Sequence, residues 1–251
     1  MSHPAKYVYA ITDQNENCAY GKIGLEGAPV YAISEGPLAA IVSDIAERRV
    51  RPERLKLAAH HAVIAKLMEE GTVLPMAFGT IAASPKTLQK VLRTNKDAFR
   101  KHLHRVRGKI EMGLRVTWDV PNVFEYFVSL HPDLMSMRDD LYLVGRQATR
   151  DEKIALGHLF DQLLSQEREA HTDAVIKVLS PHCAEIKQNK PRGEREVMRL
   201  ACLIDRSAQK RFEDGVFEAA RLFDDHYAFD FNGPWSPYNF VDGLRLNTRG
   251  D

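Results

Sequence analysis

Three glycines at intervals of three, Gly21, Gly24 and Gly27, invite comparison with a phosphate-binding loop. Such a loop needs its glycines between a strand and a helix N-terminus, where backbone N-H groups converge on the anion. Here Ala28-Pro29 leads instead into the apolar run Val30 to Ile33, a strand pattern, so the glycines read as a turn. The histidines offer no metal pair. His60 and His61 are adjacent on a helical pattern and point about 100 degrees apart, unlike the i, i+4 pair that clamps an ion. His102 and His104 face different ways, and His158, His171, His182 and His226 have no spacing that predicts a shared site. Cys18, Cys183 and Cys202 form an odd, widely spaced set without a C-x-x-C pair, which fits a reducing compartment and argues against zinc or a disulfide framework. Carboxylates such as Glu167, Glu169, Asp224 and Asp225 fall on solvated faces. No Rossmann turn, Walker lysine, nucleophile elbow or H-E-x-x-H is present, so the reading assigns no catalytic residue, no metal and no cofactor. The enzymatic alternative is a small-molecule site in a cleft between two domains.

The balance of charge excludes further classes. In 251 residues, 35 basic side chains face 34 acidic ones for a net charge of +1, so no overall field draws the chain to nucleic acid or an anionic membrane. The aromatic RNP pattern for stacking bases is missing from Lys109 to Trp118 and from Val197 to Ile204. No run of about 18 apolar residues occurs and Met1 to Lys6 has no apolar signal core, which predicts a cytosolic protein without a membrane span. With 44% hydrophobic residues the chain can bury one large core or two modest ones.

The elements that must position any site follow from periodicity. Tyr7 to Ile11 reads as a strand, and Val30 to Ile33 and Leu38 to Val42 as a hairpin turned at Gly36-Pro37. Pro52 to Glu70 is a helix with Leu57, Ile64, Leu67 and Met68 on one side and Gly71 as its stop. Thr72 to Thr80, broken by Pro75, suits an edge strand. Ser84-Pro85 opens a helix that runs to Arg107 with a break near Thr94-Asn95 and a basic end. From Lys109 to Trp118, Ile110, Met112, Leu114, Val116 and Trp118 alternate with Glu111, Gly113, Arg115 and Thr117, the clearest strand in the sequence. A helix from Val123 to about Met137 and a longer one from Asp151 to Leu179 follow, then strands at Cys183 to Lys187 and Val197 to Ile204. A last helix, capped by Asp205 or Ser207, has Phe212, Val216, Phe217, Ala220 and Phe223 facing inward, and a strand at Phe229 ends the series. The fold class is therefore α+β in two domains. Residues 1–108 form a small mixed domain, and residues 109–251 a ferredoxin-like βαββαβ unit with an extra helix and a proline-aromatic tail.

That tail, FDFNGPWSPYNFV from Phe229 to Val241, is the most distinctive stretch. Pro234 and Pro237 lack the N-H of a sheet ladder and Gly233 opens unusual backbone angles, so the strand should stop there in a stiff turn. Trp235, Tyr238 and Phe240 ride on the turn, either packed against the chain's own core or offered to a partner.

Taken in order, YVYAI, PLAAIVSD at Pro37 to Asp44, TVLPMAFGT, GKIEMGLRVTWD at Gly108 to Asp119 and the closing NGPWSPYNFV together resemble the gas-vesicle GvpF/GvpL family over nearly the whole chain. Ala77 stands where the family pattern has an Arg before Phe78. The resemblance implies a non-enzymatic accessory role in gas-vesicle formation, through binding the small, very apolar (GvpA-like) shell subunit and possibly other accessory proteins. Incorporation as a minor component of the vesicle is the alternative. The candidate contacts are Trp235, Tyr238 and Phe240 as aromatic anchors, Pro75, Met76 and Phe78 as an edge segment open to strand addition, and Arg105 and Arg107 as a basic rim.

Overall fold

The computed structural model describes residues 4–13, 19–46, 49–142 and 147–241. The chain splits into two compact units, Met1–Glu111 with Pro234–Asp251, and Met112–Gly233. This differs from a division at residues 108 and 109 in the fate of the tail. The proline-aromatic segment belongs with the first unit, because Tyr238 packs on that unit's core and the fully buried Phe240 is held by Arg105.

In the first unit, β1 (Ala5–Thr12) is the central strand of a sheet that also contains β2 (Ala19–Gly21), β3 (Val30–Glu35), β4 (Leu38–Ile45), β5 (Val73–Pro75) and β6 (Ile81–Ala82). The order is β2-β3-β4-β1-β5, and β6 also pairs with β1. β3 and β4 form the hairpin expected from Gly36-Pro37: Glu35 lies opposite Leu38, and Gly36 takes φ 58°, open to glycine without strain. Tyr7 to Ile11 and Leu38 to Val42 are buried at every position, so both faces of these strands are covered and the runs are continuous rather than alternating. Helix α1 (Arg54–Glu70) covers one face with His60, Val63, Ile64 and Leu67, spaced i, i+3, i+4, i+7, and stops where the Gly71 N-H meets the Leu67 carbonyl. Helix α2 (Pro85–Thr94) starts at Ser84, whose hydroxyl accepts from the Thr87 N-H, and breaks at Asn95 before α3 (Lys96–Val106).

The glycine trio is structural. Gly21 and Gly27 take φ of 81° and 75°, and a Cβ on Gly24 would lie 2.6 Å from the Tyr9 hydroxyl and 2.8 Å from the Ala28 carbonyl.

The second unit is built on β7 (Lys109–Trp118), α4 (Val123–Leu130), α5 (Pro132–Leu141), α6 (Arg150–Leu179), β8 (Glu185–Asn189), β9 (Glu196–Asp205), α7 (Gln209–Ala220) and β10 (Tyr227–Trp235). Its sheet order is β10-β7-β9-β8, with α6 packed on α7 and on β9. The described residues thus form a mixed α+β fold with two antiparallel sheets and seven α-helices. The α6 N-terminus carries a complete capping box, in which Thr149 and Glu152 each accept from the other's backbone N-H. No described helix is long and apolar enough to cross a membrane.

Five sequence expectations are corrected here. The single helix from Val123 is two, because Pro132 lacks an N-H and holds His131 in an extended conformation, then serves as the first residue of α5. The strand expected at Cys183 to Lys187 lies two residues later, after a 3-10 turn at Ser180–His182. Another 3-10 turn, Arg206–Ala208, precedes α7, which therefore starts without a side-chain cap from Asp205 or Ser207. The buried side of α7 is Phe212, Gly215, Val216 and Ala219, a line in which Gly215 admits the His182 ring, and Phe217 is left 58% exposed beside Phe231. β10 also runs on through Pro234 to Trp235, with Gly233 at φ 131° absorbing the irregularity.

Gly24→Ala is expected to lower the stability of the chain by about 1–3 kcal/mol, because the added methyl meets backbone at Ala28 that cannot move aside. A reduced urea midpoint with an unchanged denaturant slope is the readout.

Candidate functional site

The proline-aromatic turn organises a polar network in the first unit. After β10, the Tyr238 N-H bonds the Ser236 carbonyl at 2.7 Å and the Phe240 N-H bonds the Pro237 carbonyl at 3.1 Å, giving a short 3-10 turn over Tyr238–Phe240. Phe240 is fully buried and Tyr238 packs against the core that contains Tyr7, Tyr9, Val63, Ile64 and Leu67.

His60, on the buried stripe of α1, receives the turn. Its Nε2 lies 3.1 Å from the Met76 carbonyl, which can only accept, so Nε2 carries the proton. Nδ1 is then the acceptor for the Tyr7 hydroxyl at 2.9 Å, and the Tyr7 oxygen accepts the Gly79 N-H at 3.1 Å. The Tyr238 hydroxyl lies 3.2 Å from Nε2 and shares that proton with Met76. Tyr9 stacks on the ring at 5.8 Å and Phe78 meets its edge at 5.6 Å. Burial among these groups pushes the His60 imidazole down to about 4, and neighbouring His61 adds to the shift. Burial likewise raises Tyr7 to about 12 and raises Tyr238. His60 is thus a neutral bridge between α1, β1 and the turn, with both ring nitrogens committed to protein groups.

Two further groups hold the turn. Glu111, buried in β7, accepts the Asn239 backbone N-H at 2.9 Å and its side-chain amide at 2.6 Å. Arg105, in the last turn of α3, donates to the Phe240 carbonyl at 3.2 Å and stands 6.0 Å over the Phe240 ring.

Of the residues proposed from sequence, Tyr238, Phe240, Met76, Phe78 and Arg105 thus belong to this one network. Trp235, at 49% exposure, is the part of the turn presented to solvent. Pro75 is buried opposite Ala10 at the edge of the sheet, and the Met76 N-H bonds the Tyr9 carbonyl at 2.8 Å, so one side of this segment is spent on β1. Arg107 stands apart and pairs with Asp13. Sequence reasoning missed His60, Glu111 and Asn239. The signal for His60 was present, since it falls in register with Val63, Ile64 and Leu67; Glu111 gave none, since it sits on the polar side of an alternating strand.

A second polar cluster forms in the other unit, where the Tyr227 hydroxyl lies 2.9 Å from His171 Nε2 and Glu167 lies 3.1 Å from the same nitrogen. His171 also packs against Phe223, and burial holds it below the usual histidine range despite Glu167 and Asp224. Among the described residues, no group of three or more His, Cys, Asp or Glu side chains is arranged to hold a metal ion.

Comparison with known proteins decides the family. The model of the gas vesicle synthesis protein GvpL/GvpF family matches residues 5–242. The chain belongs to the GvpL/GvpF family. Gas vesicle protein F of Streptomyces sp. (strain CB03234) is 28% identical over 241 residues, covering 94% of this chain and 99% of the relative. Gas vesicle protein F2 of Halobacterium salinarum is 27% identical over 248 residues, covering 96% and 94%. Gas vesicle protein L of the same Streptomyces strain is 27% identical over 259 residues, so F and L proteins both match. The crystal structure of GvpF from Anabaena sp. PCC7120 has the same fold, with a TM-score of 0.79 at 23% identity over 95% of this chain and 98% of that one. Membership gives the chain a gas-vesicle-related role, and these relatives are named as gas vesicle proteins.

Because folding lowers the His60 pKa from 6.5 to about 4, the unfolded chain binds the extra proton in that interval. His60 should therefore contribute nothing to pH dependence above about pH 7, and should cost stability as pH falls through 6.5. The loss should level off near pH 4 at about 3 kcal/mol. Urea melts from pH 7 to 4 on the wild type and His60→Gln read this out: the variant is expected to be less stable at pH 7 but to show a shallower slope.

Proposed function

We propose that this protein is a cytoplasmic, non-enzymatic accessory factor of gas-vesicle assembly that binds the small apolar shell subunit and supports nucleation or growth of the vesicle. The observation that carries this reading is the match to the GvpL/GvpF synthesis-protein family from residue 5 to residue 242. The chemistry fits. A subunit that forms a gas-tight wall must expose apolar surface before assembly, and such surface aggregates unless a partner covers it. On the first unit, Trp235 offers a large aromatic surface on a backbone stiffened by Pro234 and Pro237, and Leu55 is 83% exposed on α1. The buried members of the turn, Tyr238 and Phe240, then act by holding Trp235 in place. For the second unit, the strand order β10-β7-β9-β8 supports a ferredoxin-like reading, with α4 and α5 added before α6.

Residue-level crosslinking of the purified protein to the shell subunit tests the proposal. Trp235→Ala is expected to weaken binding while shifting stability by less than about 1 kcal/mol, and Phe240→Ala to cost about 3–5 kcal/mol through the cavity it leaves. Crosslinks absent from the shell subunit, or binding that is indifferent to Trp235→Ala, would count against this contact. Recovery of the chain in washed, intact vesicles would favour a built-in minor component over a transient factor.

A further inference from the structure

We propose that the open edge of β10 is an interface with a second copy of this chain. The two β10 strands pair antiparallel about a two-fold axis through Phe231 and form a closed dimer. The inference goes beyond the assembly role and does not rest on it.

The direction of the backbone groups follows from the register of β10 on β7. The Asp119 N-H bonds the His226 carbonyl at 2.6 Å, Arg115 donates to Asp230 at 2.6 Å, and a Cβ on Gly113 would meet the Asn232 side chain at 2.7 Å, so the two strands run antiparallel in one register. Hydrogen-bonding groups alternate along such a ladder, so Ala228, Asp230 and Asn232 aim theirs at β7 while Phe229 and Phe231 aim theirs away from it. The Trp118 N-H agrees with this alternation, since it bonds the Arg195 carbonyl on the β9 side of β7. β10 ends the order β10-β7-β9-β8, and among the described residues no strand lies beyond it. Pro234 falls outside the stretch Phe229 to Gly233 that the pairing needs.

The two edges of the sheet are finished differently. β8 carries Glu185 and Lys187, charges of the kind that discourage a further strand. The single charge on β10 is Asp230, which is paired with Arg115 of its own sheet. On the helix face, Phe231 lies beside Phe217, which α7 leaves 58% exposed, with the rings 6.3 Å apart. A two-fold axis through Phe231 brings the two copies of this aromatic pair together and covers them. On the opposite face the same axis sets Asp230 across from Asn232 of the second copy, an acid facing an amide, and does so twice. An axis through Asp230 would instead set two carboxylates face to face. The strand is therefore complementary to itself in the Phe231 register. Pairing joins two four-stranded sheets into one whose outer strands are both β8, so growth stops at two copies.

Sedimentation of the purified full chain between about 1 μM and about 1 mM tests this, and a reversible monomer–dimer equilibrium is expected. Asn232→Asp, which puts a second carboxylate opposite Asp230, is expected to raise the dissociation constant about tenfold, and Asn232→Lys to lower it. Phe217→Asp, at an exposed helix position, is expected to weaken the dimer as well, and it keeps the test open if changes at Asn232 disturb β10. Hydrogen exchange at low and high protein concentration locates the contact. The Phe229 and Phe231 amides are expected to gain protection with concentration, while those of Ala228 and Asp230, directed at β7, stay unchanged. A chain that remains monomeric throughout, a dimer indifferent both to the charge placed at Asn232 and to Phe217→Asp, or protection gained elsewhere with none at Phe229 and Phe231 would overturn the proposal.

Discussion

The first unit depends on a buried seat that its own N-terminal sequence cannot fill. Tyr7, Tyr9 and α1 form an apolar wall whose polar atoms point into it: the Tyr7 hydroxyl, His60 and the Met76 carbonyl. Tyr238 and Phe240 bring the matching combination, large apolar surface with a hydroxyl at one tip and backbone groups that Arg105 and Glu111 can bind. Hydrophobic burial supplies most of the stabilisation here, and the polar pairings prevent the desolvation cost that unpaired buried groups would impose. Because the seat joins the two ends of the chain, ordering it also closes a very long loop, although that entropy grows only logarithmically with length.

Much of the fold was legible because the relevant signals are local. The alternation from Ile110 to Trp118, the Gly36-Pro37 hairpin and the Ser84-Pro85 helix start all appear where the sequence put them. Pro132 was visible too, but its effect depends on whether the chain continues as a kinked helix or restarts, a choice made by packing of α4 on α5. Phe217 illustrates a different limit. Its spacing fits the inner face of α7 nearly as well as Phe212 does, and only the close approach of His182 to Gly215 fixes which stripe turns inward.

The site was legible by composition and not by role. Trp235, Tyr238 and Phe240 look alike in sequence, three aromatics on a proline-stiffened turn, yet one stands half in solvent and another is wholly enclosed. No pattern within the turn distinguishes them, since the difference is made by His60, Glu111 and Arg105, which lie 128 to 178 residues away along the chain. Long-range partners of this kind carry no periodicity of their own. Under the proposed role of binding an apolar partner, the division has a use: most of the turn's greasy surface is satisfied internally, which limits nonspecific aggregation, while Trp235 stays available.

The division of one compact unit between both chain ends also has a consequence during synthesis. About 120 residues separate the point where β7 begins to leave the first unit from the segment that completes it, so at roughly 5–20 residues per second the ribosome takes on the order of ten seconds to deliver the missing piece. For that interval the nascent N-terminal unit carries an unfilled aromatic socket, and a chain that terminates early keeps it indefinitely, a ready mark for chaperones and proteases.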